Sequence, residues 1–392
     1  MDFSYNPTMP VVISAAVAFV AMIYVAIYYY LRIGGVARKA FADNASEYMP
    51  VEDLPEVSVI VYAYDDADFL RRLLPQLLGQ DYPAPYEVIV VNEGQSDATS
   101  EVVNLLAMKH HNLYLTFTPD GARNLSRKKL ALTLGIKAAR YGVVATVDAD
   151  TSVNSDKWLI RMAGHFSDPR CEVVIGATRP DDQSDDMSGR VFRTFDYCAD
   201  SVTYISSAIA GRPYRGTSHN LAYRRQLFFD NKGFSRSLNL RYGDDDVFVS
   251  EIANGKNTVV ELSEESVTTS LSYNPRRAYR EFKQKVLFTG SFVRKSARRM
   301  MAVCSVAVWI WFAAVIVMVW CGYPSLLPVC VAVGTGLGLW IPVVCIWRKV
   351  RAALGFKPLA WSLPVLVLSR PVHTFVAKVR SSKNKVHNYT WG

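Results

Sequence analysis

The chain has 392 residues, 50% of them hydrophobic and 20% charged, with a formal net charge of +9. That is too apolar for a plain soluble domain and too charged for a bundle of membrane helices alone. The basic excess flanks the apolar runs, and no Lys/Arg stripe with interleaved aromatics marks the middle, which argues against nucleic acid and for anionic lipid headgroups.

In chain order, residues 9–31 carry no charge and are long enough for a bilayer, which needs roughly 20 residues. The run has no basic leader and ends near Tyr28, Tyr29 and Tyr30, an aromatic girdle, so it reads as a retained anchor rather than a cleaved signal. Residues 301–320 and 326–347 are two further spans. The apolar run 359–369, interrupted by Pro364, suits an interfacial segment extending over about 359–377. Arg32, Arg38 and Lys39, then Arg294, Lys295, Arg298 and Arg299, then Arg348, Lys349 and Arg351 all fall on one side. Residues 1–8 and the loop 321–325 carry no basic residue. The positive-inside rule makes the basic side cytoplasmic, with the N-terminus outside an inner membrane. Cys171 and Cys198 lack CxxC spacing and the other cysteines lie in or beside the spans, so neither a disulfide framework nor a structural zinc site is expected. Three parts follow: an anchor and linker over 1–50, a soluble domain over 51–290, and a membrane region with a basic tail over 291–392.

The soluble part alternates strands and helices. Strands are expected at 57–64, 86–94, 113–118 and 143–150, and helices at 69–80, 98–111, 126–140 and 155–166. Ser96 or Asp97 is the candidate cap of the second helix, and Asn154 or Ser155 of the fourth. This is a βαβ pattern with a mostly parallel α/β sheet, in which ligands bind beyond the carboxyl ends of the strands. Three of those ends are acidic: Tyr64-Asp65-Asp66, Asn92-Glu93 through Asp97, and Asp148-Ala149-Asp150. No GxGxxG or GxxxxGK[ST] loop follows the first strand, so a standard dinucleotide site or P-loop is excluded.

Carboxylates gathered on one rim repel unless a cation lies among them. Mg²⁺ or Mn²⁺ bridging to a diphosphate is the hard-cation answer, and Asp148 and Asp150 are spaced to share one ion. The plain alternative is two solvated acids beside a turn. Further on, "YGDDDVF" sets Asp244, Asp245 and Asp246 before an apolar helix, where they suit a helix dipole or supply a general base. Lys128 and Lys129 either pair with the rim or form a solvated helix face. The acidic stretch 181–190 reads as a surface loop or a gate.

Taken together, "AYDD", "VIVVNEGQSD", "KKLAL", "VDAD", "GTSHNLAYR" and "GDDD", in that order and between membrane segments, identify a resemblance. The stretch 55–290 resembles the inverting family 2 glycosyltransferases of GT-A fold, especially bacterial membrane-anchored members. The resemblance implies that Ala63, Tyr64 and Asp65 hold the nucleotide base and ribose. Glu93 stands where the family usually has Asp, and would contact the base or ribose. Lys128 would touch the nucleotide, Asp148 and Asp150 would hold the metal and diphosphate, and Asn220 would line the sugar or acceptor pocket. Asp245 matches the general base, Asp244 replaces the family's Glu, and Asp246 stays open as a neighbour. The implied donor is a UDP- or GDP-sugar, with membrane lipids as partners and a glycan or lipid-linked acceptor. Processive synthases of the family carry Gln-x-x-Arg-Trp; here Gln284 is followed by Leu287 and Phe288, which speaks for single addition. A processive polysaccharide synthase and a catalytically silent scaffold remain the alternatives.

Overall fold

The computed structural model describes residues 8–94, 96–119, 125–183, 185, 187–294, 296–356 and 362–382. Residues 1–7, Gln95, 120–124, parts of the acidic stretch (184 and 186), Lys295, 357–361 and the end of the expected basic tail (383–392) lie outside the described residues.

The N-terminal helix runs unbroken from Met9 to Ala45 as α1 (Met9–Tyr28), a π-turn (Tyr29–Ile33) and α2 (Gly34–Ala45). The soluble layer then alternates: β1 (Val57–Tyr64), α3 (Ala67–Leu78), β2 (Tyr86–Glu93), α4 (Asp97–Ala107), β3 (Leu113–Phe117), α5 (Arg127–Ala138), β4 (Val143–Asp148). A short β5 (Thr151–Val153) and α6 (Trp158–Ala163) follow, then β6 (Val173–Ile175), β7 (Thr178–Pro180) and the long α7 (Met187–Ile209). The rest comprises β8 (Leu221–Arg224), α8 (Arg225–Asp230), α9 (Asp246–Ile252), β9 (Thr258–Val260), β10 (Thr268–Ser270) and α10 (Pro275–Thr289). The chain closes with α11 (Ser296–Gly322), α12 (Leu327–Ala353) and α13 (Leu363–Ser382).

The main sheet has the order β3-β2-β1-β4-β8-β6-β9. β1 pairs in parallel with both β2 and β4, whereas β8 runs antiparallel to β4 and β6. A second sheet, β5-β10-β7, begins where β4 ends. Successive residues of β1 and β2 serve opposite faces, as strand geometry requires. Ile60, Ile89 and Val91 belong to the buried cluster that takes in α5, α7 and the long apolar helices, while Val59, Val61, Val88 and Val90 belong to the cluster that takes in α3, α4 and α6. With both faces covered, the strands read as near-continuous apolar runs. On α3 the buried residues are Leu70, Leu73, Leu74 and Leu77, the i, i+3, i+4, i+7 set of a helix with one apolar face.

Three local expectations change. The fourth helix starts at Trp158 rather than Ser155. Asn154 Nδ2 donates to Val267 O instead of capping, and Lys157 N donates to Ser155 Oγ, which makes 154–157 a turn. The acidic stretch is not a free loop either: Asp182 is buried against Arg193 of α7, at 2.7 Å. Among the described residues, three helices are long and apolar enough to cross a membrane: 9–45, 299–322 and 327–353. Pro364 does not interrupt the last segment; it lies in the first turn of α13, where an absent N–H leaves no intrahelical bond unmade.

Candidate active site

The acidic strand ends meet at one edge. Asp65 leaves β1 at a φ of 53° and its Oδ1 accepts from Ser96 Oγ at 3.1 Å, tying the first strand end to the second. Asp can occupy this left-handed region because its short side chain bonds locally. Ser96 also caps α4 by accepting from Thr99 N. Ala63 is fully buried and Tyr64 is exposed beside Gly94. Glu93, at the end of β2, is buried and accepts from Tyr62 Oη at 2.5 Å; the Tyr62 ring lies 5.2 Å from Lys128 Nζ.

Lys128 is the hinge of the charge network. Its Nζ donates to Asp148 Oδ2 at 2.7 Å and Ser218 Oγ at 3.2 Å, and lies 3.0 Å from Asp244 Oδ2. Burial opposes its charge, but Asp148, Asp244 and Asp245 outweigh that and hold the ammonium well above its ordinary range. Lys129 faces the other way. It is buried and donates to the carbonyls of Ser237, Leu240 and Tyr242, so it braces the loop that delivers the three acids. Neither lysine forms a solvated helix face.

Asp148 closes β4, and Asp150 follows in the turn where the main sheet hands over to the small one; Leu271 N donates to Asp150 O at 2.7 Å. Asp148, Asp150 and His219 each offer one ligand atom, all within 4.8 Å of one another. His219 Nε2 is 3.2 Å from Asp150 Oδ1 with no aligned hydrogen bond among the described residues, so in the neutral tautomer protonated at Nδ1 its lone pair is open to a cation. Two carboxylates and an imidazole converging in this way suit a divalent cation. Asp66 lies close by. Burial, then the charges of Asp150 and Asp148, push its carboxyl up to about 6.

The three adjacent acids take three different environments. Asp244 faces Lys128; burial raises its pKa, but Lys128 and Lys285 outweigh that and lower it. Asp245 caps α9, its Oδ1 accepting from Asp246 N at 2.7 Å. Its Oδ2 accepts from Ser218 N at 3.1 Å and Lys285 Nζ at 2.6 Å. Burial is outweighed there by Lys285 and Lys128, which hold the carboxyl well below the usual carboxylate range. Asp246 turns away; burial and the neighbouring Asp245 push it up to about 6.

A cavity of about 230 Å³ opens on this edge, lined by Asp150, His219, Arg215, Asp245 and Lys285, with Tyr197 and Phe282 among its aromatic walls. Of the acid trio, Asp245 lines it, among the described residues. Asn220 does not reach it. Its Oδ1 accepts from Trp158 Nε1 at 3.0 Å and its Nδ2 donates to Ala177 O and Ser266 O, so this fully buried amide is spent on holding β6, α6 and the 263–266 turn together. His219, one residue earlier, takes the cavity face instead. His219, Ser218, Tyr62 and Lys285 are the site residues that sequence reasoning passed over; His219 and Ser218 stood inside the quoted "GTSHN", and Lys285 directly after Gln284.

Comparisons with known proteins agree with this architecture. The family model described as Glycosyl transferase family 2 matches residues 58–234. The poly-beta-1,6-N-acetyl-D-glucosamine synthase of Staphylococcus aureus (strain MSSA476) is 29% identical over 136 residues, 35% of this chain and 32% of that protein. The probable glycosyltransferase YdaM of Bacillus subtilis (strain 168) is 27% identical over 132 residues, 33% of this chain and 31% of that protein. The match thus spans about a third of the length of these curated relatives. Among solved structures, the mannosyltransferase PcManGT from Pyrobaculum calidifontis, in complex with GDP-Man and Mn²⁺, superposes with a TM-score of 0.53. It is 18% identical, and the superposition covers 94% of this chain and 99% of that one, a likeness of fold. Residues 58–234 are therefore a glycosyl transferase family 2 domain of GT-A fold, carried by a chain whose flanking helices are apolar enough for a membrane.

Proposed function

We propose that this chain is a membrane-anchored inverting glycosyltransferase that moves one sugar from a nucleoside-diphosphate sugar to a lipid-linked or membrane-proximal acceptor. The observation that carries the reading is a single cavity lined by Asp150, His219 and the Asp245 carboxylate, with Asp148 completing the ligand set beside it. Ala63, Tyr64, Asp65 and Glu93 would take the base and ribose at the ends of β1 and β2. A divalent cation held by Asp150, Asp148 and His219 would supply positive charge beside the departing diphosphate. The imidazole in that set favours Mn²⁺ over Mg²⁺, which prefers oxygen ligands. Lys128 would orient Asp148 and share the diphosphate charge.

Asp245 would take the proton of the acceptor hydroxyl. The hydroxyl oxygen bonds to the anomeric carbon as the bond from that carbon to the phosphate oxygen breaks, and the electron pair leaves with the nucleoside diphosphate. One displacement inverts the centre and needs one base. Lys285 holds Asp245 ionised before the acceptor arrives and must yield Oδ2 to the incoming hydroxyl, which restores basicity at the moment of transfer.

The domain plan is a 1–50 anchor, a 51–290 transferase and a 291–392 membrane region, with the transferase on the cytoplasmic side of an inner membrane and the N-terminus outside. Similarity to a poly-beta-1,6-N-acetyl-D-glucosamine synthase favours a second reading, processive synthesis of a surface polysaccharide. Product length from purified protein separates the two. The first test is thermal stabilisation and hydrolysis of UDP-, GDP- and dTDP-sugars by the full-length protein with Mn²⁺ or Mg²⁺. One donor stabilises the protein only with metal, and Asp150→Ala and His219→Ala lose that dependence. A protein that responds to no donor with either metal is a scaffold, not a transferase.

A further inference from the structure

Between α7, α10, α11 and α13 lies a second cavity of about 240 Å³. It meets the active-site cavity at two shared residues, Asp200 and Arg215, which form an ion pair. That pair is the partition: Asp245 lines the first chamber, Asp246 the second. The second chamber is walled by Val286 and Leu287 of α10, Val293, Met301 and Ala302 at the root of α11, and Pro371 of α13. The first turns of α11 lead into a helix apolar enough to cross a membrane, so the chamber sits where that helix joins the soluble layer.

Two of its basic groups are already matched. Lys283 and Arg370 both pair with the buried Asp196, at 2.5 and 2.7 Å, and leave little to attract a free anion. Arg215 differs. It is 8% exposed, and its Nε has no hydrogen-bond partner among the described residues, although its Nη1 pairs with Asp200. The chamber therefore offers apolar wall from α10, α11 and α13, and at the end nearest the catalytic carboxylate it meets the Arg215–Asp200 pair.

We infer that the second chamber holds the aliphatic part of the acceptor, whose polar head lies at the Arg215–Asp200 pair where the two chambers meet. The acceptor is then an amphipathic molecule that rises from the membrane along α11 and α13 and presents its hydroxyl to Asp245 past the Arg215–Asp200 pair. This inference rests on the transferase reading above and adds the acceptor's route and chemical class.

The probe is dodecyl β-glucoside with a diazirine in mid-chain, photolysed on the full-length protein in lipid nanodiscs, with labelled residues mapped by mass spectrometry. Labels fall on Val286, Leu287, Met301 and Ala302, and dodecyl glucoside competes while methyl glucoside does not. Leu287→Trp and Ala302→Phe, which fill the chamber, each lower this labelling roughly tenfold, as loss of a buried apolar contact implies. Their thermal midpoints stay near wild type, and either variant alone suffices if the other does not fold. Labels confined to lipid-facing residues such as Val20 and Ile310, or labelling unchanged in both variants, overturn the inference. Metal-dependent donor hydrolysis, read on the same samples, separates it from its parent. Labelling without any donor response sinks the transferase and leaves the chamber; hydrolysis without chamber labelling sinks the chamber alone.

Discussion

Asp245 is chemically constrained from both sides: a backbone amide and an ammonium hold it ionised, and the cavity lies in front of it. A positioned general base contributes about 10²–10⁴-fold, so Asp245→Asn lowers transfer by that factor while donor stabilisation persists. An unchanged transfer rate in that variant moves the base elsewhere. Asp246 makes a different prediction. Its folded pKa of about 6 lies above the ordinary 3.8, so the carboxyl costs nothing below about pH 4 and a penalty accumulates as pH rises through 6. The thermal midpoint of Asp246→Asn minus that of wild type therefore grows between pH 4 and pH 6 and is flat above. The full shift corresponds to at most about 3 kcal/mol. These roles were unequally legible in the sequence. Asp148 and Asp150 stood out because their pattern is local to one strand end. Lys285 did not, because its partner lies on a distant helix cap and nothing in "EFKQKVLFTG" marks it. Asn220 drew attention that belonged to His219, because the 217–220 turn, closed by Asn220 N donating to Thr217 O, sends these neighbouring side chains to different sides.

At the level of elements, α10 joins the active site to the membrane region through residues two apart. Lys285 reaches Asp245, while Lys283 and Tyr279 reach Asp196 on α7, which also receives Arg370 from α13. Burial alone would raise the Asp196 carboxyl; Arg370 and Lys283 outweigh it and hold it at about 2. Its stabilising contribution is thus present above about pH 4 and lost as pH falls through 2. Removing one partner of a buried ion cluster strands the others, so Asp196→Ala destabilises the protein by about 3–5 kcal/mol. Thermal unfolding in detergent at pH 7 checks this, and a midpoint equal to wild type would mean that α13 docks without the cluster. The long amphipathic and apolar segments were readable because their periodicity is local. The start of α6 was not, because Asn154 is drawn to β10 and away from capping, a competition visible only once the small sheet exists.

For the whole molecule, the charge pattern around the apolar helices sets a sidedness that labelling can read. Cys321 near the end of α11 and Cys330 in the first turn of α12 are both exposed, on either side of the connecting turn. With Cys330 replaced by Ser, Cys321 reacts with a membrane-impermeant maleimide added to intact cells; reaction only after the cells are opened reverses the proposed topology. The parallel half of the sheet followed from strand–helix alternation, but the reversed β8 did not, since nothing in "NLAYR" states its direction. That reversal returns the 217–219 loop to the same edge where β4 ends, and it has a consequence for biogenesis. As the ribosome delivers the polypeptide from its amino end, the acidic edge around Asp148 emerges long before His219, and Lys285 and Arg370 emerge later still. Asp148 therefore finds Lys128 already made, whereas Asp245 waits for Lys285 and Asp196 for Arg370, so the charge network closes only once α10 and then α13 have been delivered.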